Sequence, residues 1–355
     1  MVPVSDRFVF DCAPQRVYWE TTTACDLACR HCRAEAATER DPDELSTEEG
    51  FRLLERLKAF GEPAPHVILT GGDPLKRPDL FVLIERARAL GLGVSVAPSG
   101  TPLLTADAIA RFKDAGVEAI SLSVDGSTAD RHDAVRRVPG CFDRTCLAAE
   151  TARAVGLPFQ VNTLVAQETL SDIPAIYPLV SAWGAARWCL FFLISVGRGT
   201  MLREISPSAC EQLLSWLANL TGRPGPIVTT TEAPHFRRVM LQRRHGAASH
   251  GGHPAPVSHP VGGIRDGNGI LFVARNGDIT PSGFLPVFVG NVRTHDVVAV
   301  YRHSEEFLSL RRADKFGGRC GHCEFRGPCG GSRARAYAAY GDQMAEDPLC
   351  VYHTE

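Results

Sequence analysis

The stretch CDLACRHC, residues 25–32, sets three thiols, Cys25, Cys29 and Cys32, within eight positions, directly after the alternating run RVYWETTTA. Free cysteine packs as a small hydrophobe, so buried thiols are one explanation. A structural zinc site is another, and it asks for four ligands. A third is an iron–sulfur cluster gripped by three thiolates, with one iron left open. Spacing alone keeps cluster and zinc both in play, because both metals accept thiolate and His31 could complete a zinc set.

Composition narrows the setting. The chain has 355 residues, Lys+Arg 38 against Asp+Glu 40, a net charge of −2, and hydrophobic and charged contents of 44% and 22%. These are ordinary values for a globular protein with room for one large core or two domains. They give no global field that would recruit nucleic acid or a membrane surface. Neither a charged-then-apolar leader nor a bilayer-spanning apolar run is read from the sequence. A cytoplasmic protein is expected, and its twelve cysteines then point to metal or catalysis before disulfides. Cys12, Cys141, Cys146, Cys189 and Cys210 are scattered and are expected to be packing residues.

Strand-like and helix-like stretches alternate from residue 16 to about 205. Strands are predicted at 16–22, 66–70, 93–97, 119–124, 158–165 and 188–195, mostly apolar on both faces as parallel strands covered by helices are. Ser46 with Glu49 forms a capping box for the first helix, and glycines close helices predicted at 78–90, 105–116 and 142–155. Six such units imply right-handed crossovers and an α/β fold, a partial TIM-like (β/α)6 barrel with its active site at the carboxyl ends of the strands. CDLACRHC follows the first strand and so belongs to a top-face loop. Residues 206–263 read as a bridging segment that ends in a His-, Gly- and Pro-rich loop, 245–263. That loop is either flexible or a carrier of metal or haem ligands. Residues 269–289 suggest a hairpin around Asn276-Gly277 with a type I′ turn.

The second predicted strand ends in TGGDP, where two glycines let a ligand approach the backbone and Asp73 offers an acceptor for an ammonium group. Alone, GGDP is a common turn. One β/α unit after CxxxCxxC, it resembles the paired signature of the radical S-adenosylmethionine (SAM) superfamily, a likeness covering residues 16–205. The resemblance implies a [4Fe–4S] cluster on Cys25, Cys29 and Cys32 whose open iron chelates the amino and carboxylate groups of SAM. It also implies reductive cleavage of SAM to a 5′-deoxyadenosyl radical, hydrogen abstraction from a substrate, and an electron donor such as a flavodoxin or ferredoxin. Gly71, Gly72, Asp73 and Pro74 are then expected around the methionine amino group. Two departures stand out: His31 where many members have an aromatic residue, and Asp73 in place of the usual Glu.

Weaker matches extend the likeness. Ser123, in SVDG, matches a residue that often contacts SAM in relatives with extra clusters. Arg136, in HDAVR, resembles their arginine reaching the SAM carboxylate, at a spacing one residue longer, and a bidentate contact suits that role. Otherwise it belongs to a surface helix. Ser99 and Asn162 are strand-end polar residues expected to face the ribose or simply to cap their strands.

The tail carries the second cysteine group, Cys320, Cys323, Cys329 and Cys350. Zinc would accept four cysteines. Beside the first motif, the pattern resembles the distal half of a SPASM domain, an auxiliary-cluster extension of many radical SAM enzymes. Ser282 and Arg333 stand where further ligands would fall, so a single, fully thiolate-ligated auxiliary cluster is expected in a small α+β domain, 264–355, after the barrel of 1–205 and the bridge of 206–263. The tail motif CGGSRARAYAAYGD most resembles enzymes of alternative haem and haem d1 biosynthesis. That likeness implies a small, polyanionic tetrapyrrole substrate, for which His235 and Arg237 in TTEAPHFRR are candidate cavity residues. The rival is a maturase of a ribosomally made peptide, disfavoured because only about fifteen residues precede the first strand where a leader-binding domain would need far more. A zinc-dependent structural or RNA-binding protein is disfavoured by the net charge and by the lack of an aromatic–basic stacking motif.

Overall fold

The computed structural model describes residues 9–249 and 263–353. The loop at 245–263, read as either flexible or a carrier of metal or haem ligands, therefore falls outside the described residues from 250 to 262. Strands β1 (Arg16–Thr22), β2 (His66–Gly71), β3 (Val94–Val96), β4 (Ala119–Ser123), β5 (Phe159–Val165) and β6 (Arg187–Phe192) form where the periodicity placed them. Each pairs in parallel with its neighbour in sequence, so every connection must cross back over the sheet, and helices do so. The local signals work as physical chemistry requires. Ser46 and Glu49 close a reciprocal capping box on helix Thr47–Lys58, and Thr105 accepts from Ala108 N–H at the start of Ala106–Asp114. Gly91 adopts φ +76° beyond helix Leu80–Ala89, a left-handed turn that a side chain would resist.

The sheet is longer than six strands. PIVTTT forms β7 (Ile227–Thr231), parallel to β6, and β8 (Ile270–Val273) lies parallel to β1 on the opposite side. Strands β9 (Asp278–Thr280) and β10 (Gly290–Asn291) continue antiparallel, giving one ten-stranded sheet in the order β10-β9-β8-β1-β2-β3-β4-β5-β6-β7. It runs through both boundaries expected from composition, since the bridging segment supplies β7 and the C-terminal unit supplies β8. The hairpin at 276–277 forms with a different turn. Gly277 N–H bonds Ala274 O and Gly277 alone takes φ +89°, so Asn276 is not left-handed as type I′ demands.

The two faces of the sheet differ sharply in wetness. Facing the helices, Val17, Trp19, Val67, Val94, Val96, Ile120, Val161, Trp188 and Leu190 are all 0% exposed within one core. Each such side chain contributes roughly 1.5–3 kcal/mol. The residues that alternate with them, including Arg16, Tyr18, His66, Ser95, Ser121, Gln160, Asn162 and Arg187, are mostly polar and only half-buried. A closed eight-stranded barrel fills its interior with side chains. Here the end strands β10 and β7 do not pair with each other, so the sheet does not close. Among the described residues, no helix is long and apolar enough to cross a membrane.

Candidate active site

Backbone contacts from three chain segments fix the loop after β1. Cys25 N–H donates to Ala37 O at 2.7 Å, Ala28 and Arg30 N–H donate to Arg136 O and Val135 O, and Arg198 N–H donates to Cys32 O at 3.0 Å. The Arg198 side chain adds bonds to Cys29 O and Ala36 O. The three thiols converge in one cluster with Leu27, Cys32 against its side. Leu27 N–H points at Cys25 Sγ from 3.4 Å and Arg136 Nη1 at Cys29 Sγ from 3.6 Å. Sulfurs that receive N–H donors suit an anionic metal cluster, because such donors offset its charge. His31, the other candidate ligand, has its buried ring among Asp125, Arg136 and Arg198, and burial pushes it down to about 4.

Cys141, expected to be plain packing, lies in the same thiol cluster. His132 Nδ1 accepts from Asp125 N–H, so its proton sits on Nε2 and points to Cys141 Sγ at 3.3 Å. Burial raises this thiol to about 11, leaving it a neutral acceptor beside the loop. His132, Asp133 and Cys141 lie within metal-ligating reach of one another, but both Asp133 oxygens already hold Gly140 and Phe142 N–H groups at the start of helix Cys141–Ala154.

The GGDP turn sits beside the loop, with Gly72 and Asp73 N–H bonded to Thr22 O and Ala24 O. A Cβ on Gly72 would meet Ala24 O at 2.4 Å, so only glycine permits this approach. Asp73 plays another part than the expected one. It is fully buried, and its carboxylate accepts from Thr101 Oγ1 at 2.6 Å, Leu75 N–H at 3.1 Å and Ser99 N–H at 3.3 Å, which leaves it a brace and not an open acceptor for an ammonium group. Pro74 starts the short 3-10 turn Pro74–Lys76 capped by the same aspartate. Ser99 donates to Gly72 O at 2.8 Å and lies 3.6 Å from Cys25 Sγ, which puts its hydroxyl between the GGDP turn and the cysteine loop.

Arg136 is drawn to the loop by an acid that sequence reasoning quoted in SVDG but did not single out. Asp125 Oδ2 lies 2.6 Å from Arg136 Nη2, while Asp125 Oδ1 accepts Leu164 N–H at 2.7 Å. Burial opposes the Asp125 charge, and the Arg136 guanidinium overcomes it and holds the carboxyl low. Ser123 and Asn162 are register partners on β4 and β5, half-buried on the inner face; Asn162 Oδ1 accepts from Gln160 Nε2 at 2.7 Å.

The later cysteines also come together. Cys320, Cys323, Cys329 and Cys350 line one cavity with His235, Arg238, Arg319 and Asp347. Burial pushes Cys329 up to about 12; it would raise Cys350 too, but a hydrogen bond from His235 brings that thiol below its ordinary value. Phe325 and Asp347 N–H point at Cys323 and Cys320 sulfurs from 3.4 Å, the same donor chemistry as at the first loop. Ser282 is remote from ligation, its hydroxyl accepting from Phe284 and Leu285 N–H in a turn. Arg333 is fully buried and points Nη2 at Cys320 Sγ from 3.6 Å, a cation where a further ligand would fall.

His235 and Arg237, the candidate cavity residues, stand against the second cysteine group. His235 is 1% exposed with Nε2 at 3.3 Å from Asp347 Oδ2, against the second cysteine group. Arg237 donates to Pro328 O at 3.0 Å and to Ile264 O, clamping the two chain segments beside Cys329. Both follow β7 directly, and β7's position in the sheet, invisible in its own sequence, carries them there.

Residues 19–180 match the model of the radical SAM superfamily. The AdoMet-dependent heme synthase of Oleidesulfovibrio alaskensis is 38% identical over 343 residues, covering 95% of this chain and 87% of that protein. The pre-heme d1 synthase of Dinoroseobacter shibae is 28% identical, covering 94% and 85%. The fold is also that of native anSMEcpe with bound AdoMet, at a TM-score of 0.72 and 14% identity, covering 95% of this chain and 94% of that one. With a three-thiol loop braced over an open parallel half-barrel and likeness running nearly end to end, the chain belongs to the radical SAM superfamily.

Proposed function

We propose that this radical SAM enzyme modifies a carboxylate-bearing side chain of a tetrapyrrole and carries two [4Fe–4S] clusters, one on Cys25, Cys29 and Cys32 and one on Cys320, Cys323, Cys329 and Cys350. The observation that carries the substrate class is the near full-length similarity to a heme synthase, supported by the similarity to a pre-heme d1 synthase. When bound, the first cluster with SAM supplies a 5′-deoxyadenosyl radical, and the second supplies a relay for electrons from a donor such as a flavodoxin or ferredoxin.

The chain's own residues prepare that chemistry. Asp73 fixes Ser99 and Thr101, so the Gly72 carbonyl and the Ser99 hydroxyl stand rigidly beside Cys25. Asp125 orients Arg136 toward Cys29, where a guanidinium can meet an incoming carboxylate. Ser123 and Asn162 border the interior just below. His235, Arg237 and Arg333 serve the second cysteine group, donating to its sulfurs or fixing its backbone. The open interior admits a flat, polar substrate to the underside of the loop.

Anaerobic reconstitution followed by iron, sulfide and zinc analysis tests the metal content; two clusters require about eight irons. Zinc without sulfide would overturn the proposal. Incubation with SAM, a reductant and iron coproporphyrin III should yield deoxyadenosine in step with a mass change of the tetrapyrrole. Deoxyadenosine that forms at the same rate without any tetrapyrrole, but rises with a precursor peptide, would transfer the assignment to peptide maturation.

A further inference from the structure

The floor of the half-barrel holds charges that the proposed chemistry leaves unused. Arg16 is the first residue of β1 and Arg187 the first of β6. Strand alternation turns both inward, because Val17 and Trp188 beside them are fully buried among the helices. The two guanidiniums are close enough to repel: burial and then Arg16 lower the Arg187 proton affinity. Arg16 acts on Arg237 as well, whose own side-chain partners are two neutral carbonyls.

Among the described residues, neither Arg16 nor Arg187 has a hydrogen-bond or ion-pair partner for its guanidinium. Other buried arginines have partners: Arg136 pairs with Asp125 and Arg335 with Glu204 and Asp347, while Arg265 and Arg333 donate to backbone carbonyls. The acids nearest the inner face are already engaged, Glu20 by Arg33 and Arg275, and Glu118 by His66 and Arg88. Two half-buried like charges without a counter-ion destabilise a fold, and the arrangement makes sense where an anion arrives. Tyr18, Ser121 and Gln160 border the same wall and can complete its hydrogen bonding. From Arg16 to Thr22, β1 climbs six steps of about 3.3 Å, so the floor lies roughly 20 Å below the cysteine loop. That depth is comparable with a tetrapyrrole standing on edge with its acid arms extended.

We propose that Arg16 and Arg187 form a carboxylate-binding floor that grips an acid arm of the substrate on the edge opposite the one presented to the cysteine loop. This rests on the tetrapyrrole assignment. Paired guanidinium forks match a carboxylate's two oxygens, and they fix which arm is presented above.

The test is fluorescence titration of the full, cluster-loaded chain with metal-free coproporphyrin III and with its tetramethyl ester. Wild type should prefer the acid. R187M and R16M should each weaken acid binding roughly ten- to a hundred-fold, the loss of a charge-assisted contact. R187K should recover part of the affinity, because lysine keeps the charge but not the fork. The melting temperature of R187M should be no lower than that of wild type, since no ion pair is lost and a repulsion is relieved. Equal affinity of wild type and R187M for the acid, or of wild type for acid and ester, overturns the floor and leaves the tetrapyrrole assignment standing. A fall in melting temperature that tracks the affinity loss in both methionine variants marks a structural role and also overturns it. Failure of wild type to bind either porphyrin removes both.

Discussion

The early cysteine trio and the late quartet use the same ligand atom, yet their walls are made of different things. Around Cys25, Cys29 and Cys32 the fixing contacts are mostly to backbone: Ala37 O, Arg136 O, Val135 O and the Cys32 and Cys29 carbonyls held by Arg198. Around Cys320, Cys323, Cys329 and Cys350 the wall is charged side chains, with Arg238, Arg319, His235 and Asp347 lining the cavity and Arg333 buried against Cys320. Charges buried in such a wall must be paired, as His235 is with Asp347, while Cys323 and Cys350 stay half-buried at its edge. The contrast teaches that one chain can hold two groups of thiols by different means, main-chain bonds at the first and paired charges at the second.

The sharpest way to break this contrast is to remove one thiol from each group. Cys29→Ala should abolish SAM cleavage and lower the iron content by about four, while Cys329→Ala should lose the other four irons and keep deoxyadenosine formation with a strong chemical reductant. If both variants lose SAM cleavage completely under dithionite, the two centres are not separable as described. Deoxyadenosine and iron assays decide it.

A smaller but large effect is expected beside the charged wall. Arg335 is 2% exposed and reaches Glu204 Oε2 at 2.7 Å, Asp347 Oδ2 at 3.5 Å and the carbonyls of Glu232 and Leu193. Arg335→Met leaves the partly exposed Glu204 unpaired and Asp347 with His235 alone, and should cost about 3 kcal/mol. Thermal melting should show it as a marked drop, with the later cysteines more reactive to a thiol reagent and the early loop unchanged. Backbone closeness gives the next step down. Gly72→Ala places a Cβ 2.4 Å from Ala24 O, and Gly321→Ala places one 1.9 Å from Phe316 O. Each should cost about 1–3 kcal/mol through overpacking. SAM binding, measured calorimetrically, should fall only for Gly72→Ala.

The smallest effect belongs outside both centres. Glu49 accepts from Arg293 at 2.7 Å and completes the capping box, which holds its carboxyl down to about 2 from an ordinary 4.5. A depressed carboxylate stabilises the fold above its unfolded value, and the benefit fades as pH falls from about 4.5 toward about 2. Because the pair is partly exposed, Glu49→Gln should cost less than about 1 kcal/mol near neutrality. The difference in melting temperature from wild type should shrink as the pH is lowered from 6 toward 3.

What the sequence disclosed follows from how local each signal was. The first six strands, the Ser46 box and the convergence of both cysteine groups were legible because period, cap and ligand spacing are written in short windows. Membership of β7 and β8 in the same sheet was not, since a partner strand far along the chain leaves no trace in a five-residue run. That gap hid the neighbourhood of His235 and Arg237, which ride on β7's position. Asp73 was legible as a carboxylate but not as a brace, because its Thr101 and Ser99 partners come from the next β/α unit. Asp125 lay inside a quoted motif, and the nearby arginine was the available clue. The turn at Asn276-Gly277 shows that a strong dipeptide signal fixes a hairpin more firmly than its turn type.

The pairing of β1 with β8, Arg16 opposite Ile270, also bears on how the chain is made. β1 is among the first strands to leave the ribosome, yet its outer neighbour follows about 250 residues later, which at ordinary elongation rates is a delay of roughly 12–50 s. Throughout that interval the edge carrying Val17 and Trp19 stands unpaired, a template for pairing with the wrong partner. A nascent chain of this design has reason to need a chaperone before it ever needs iron.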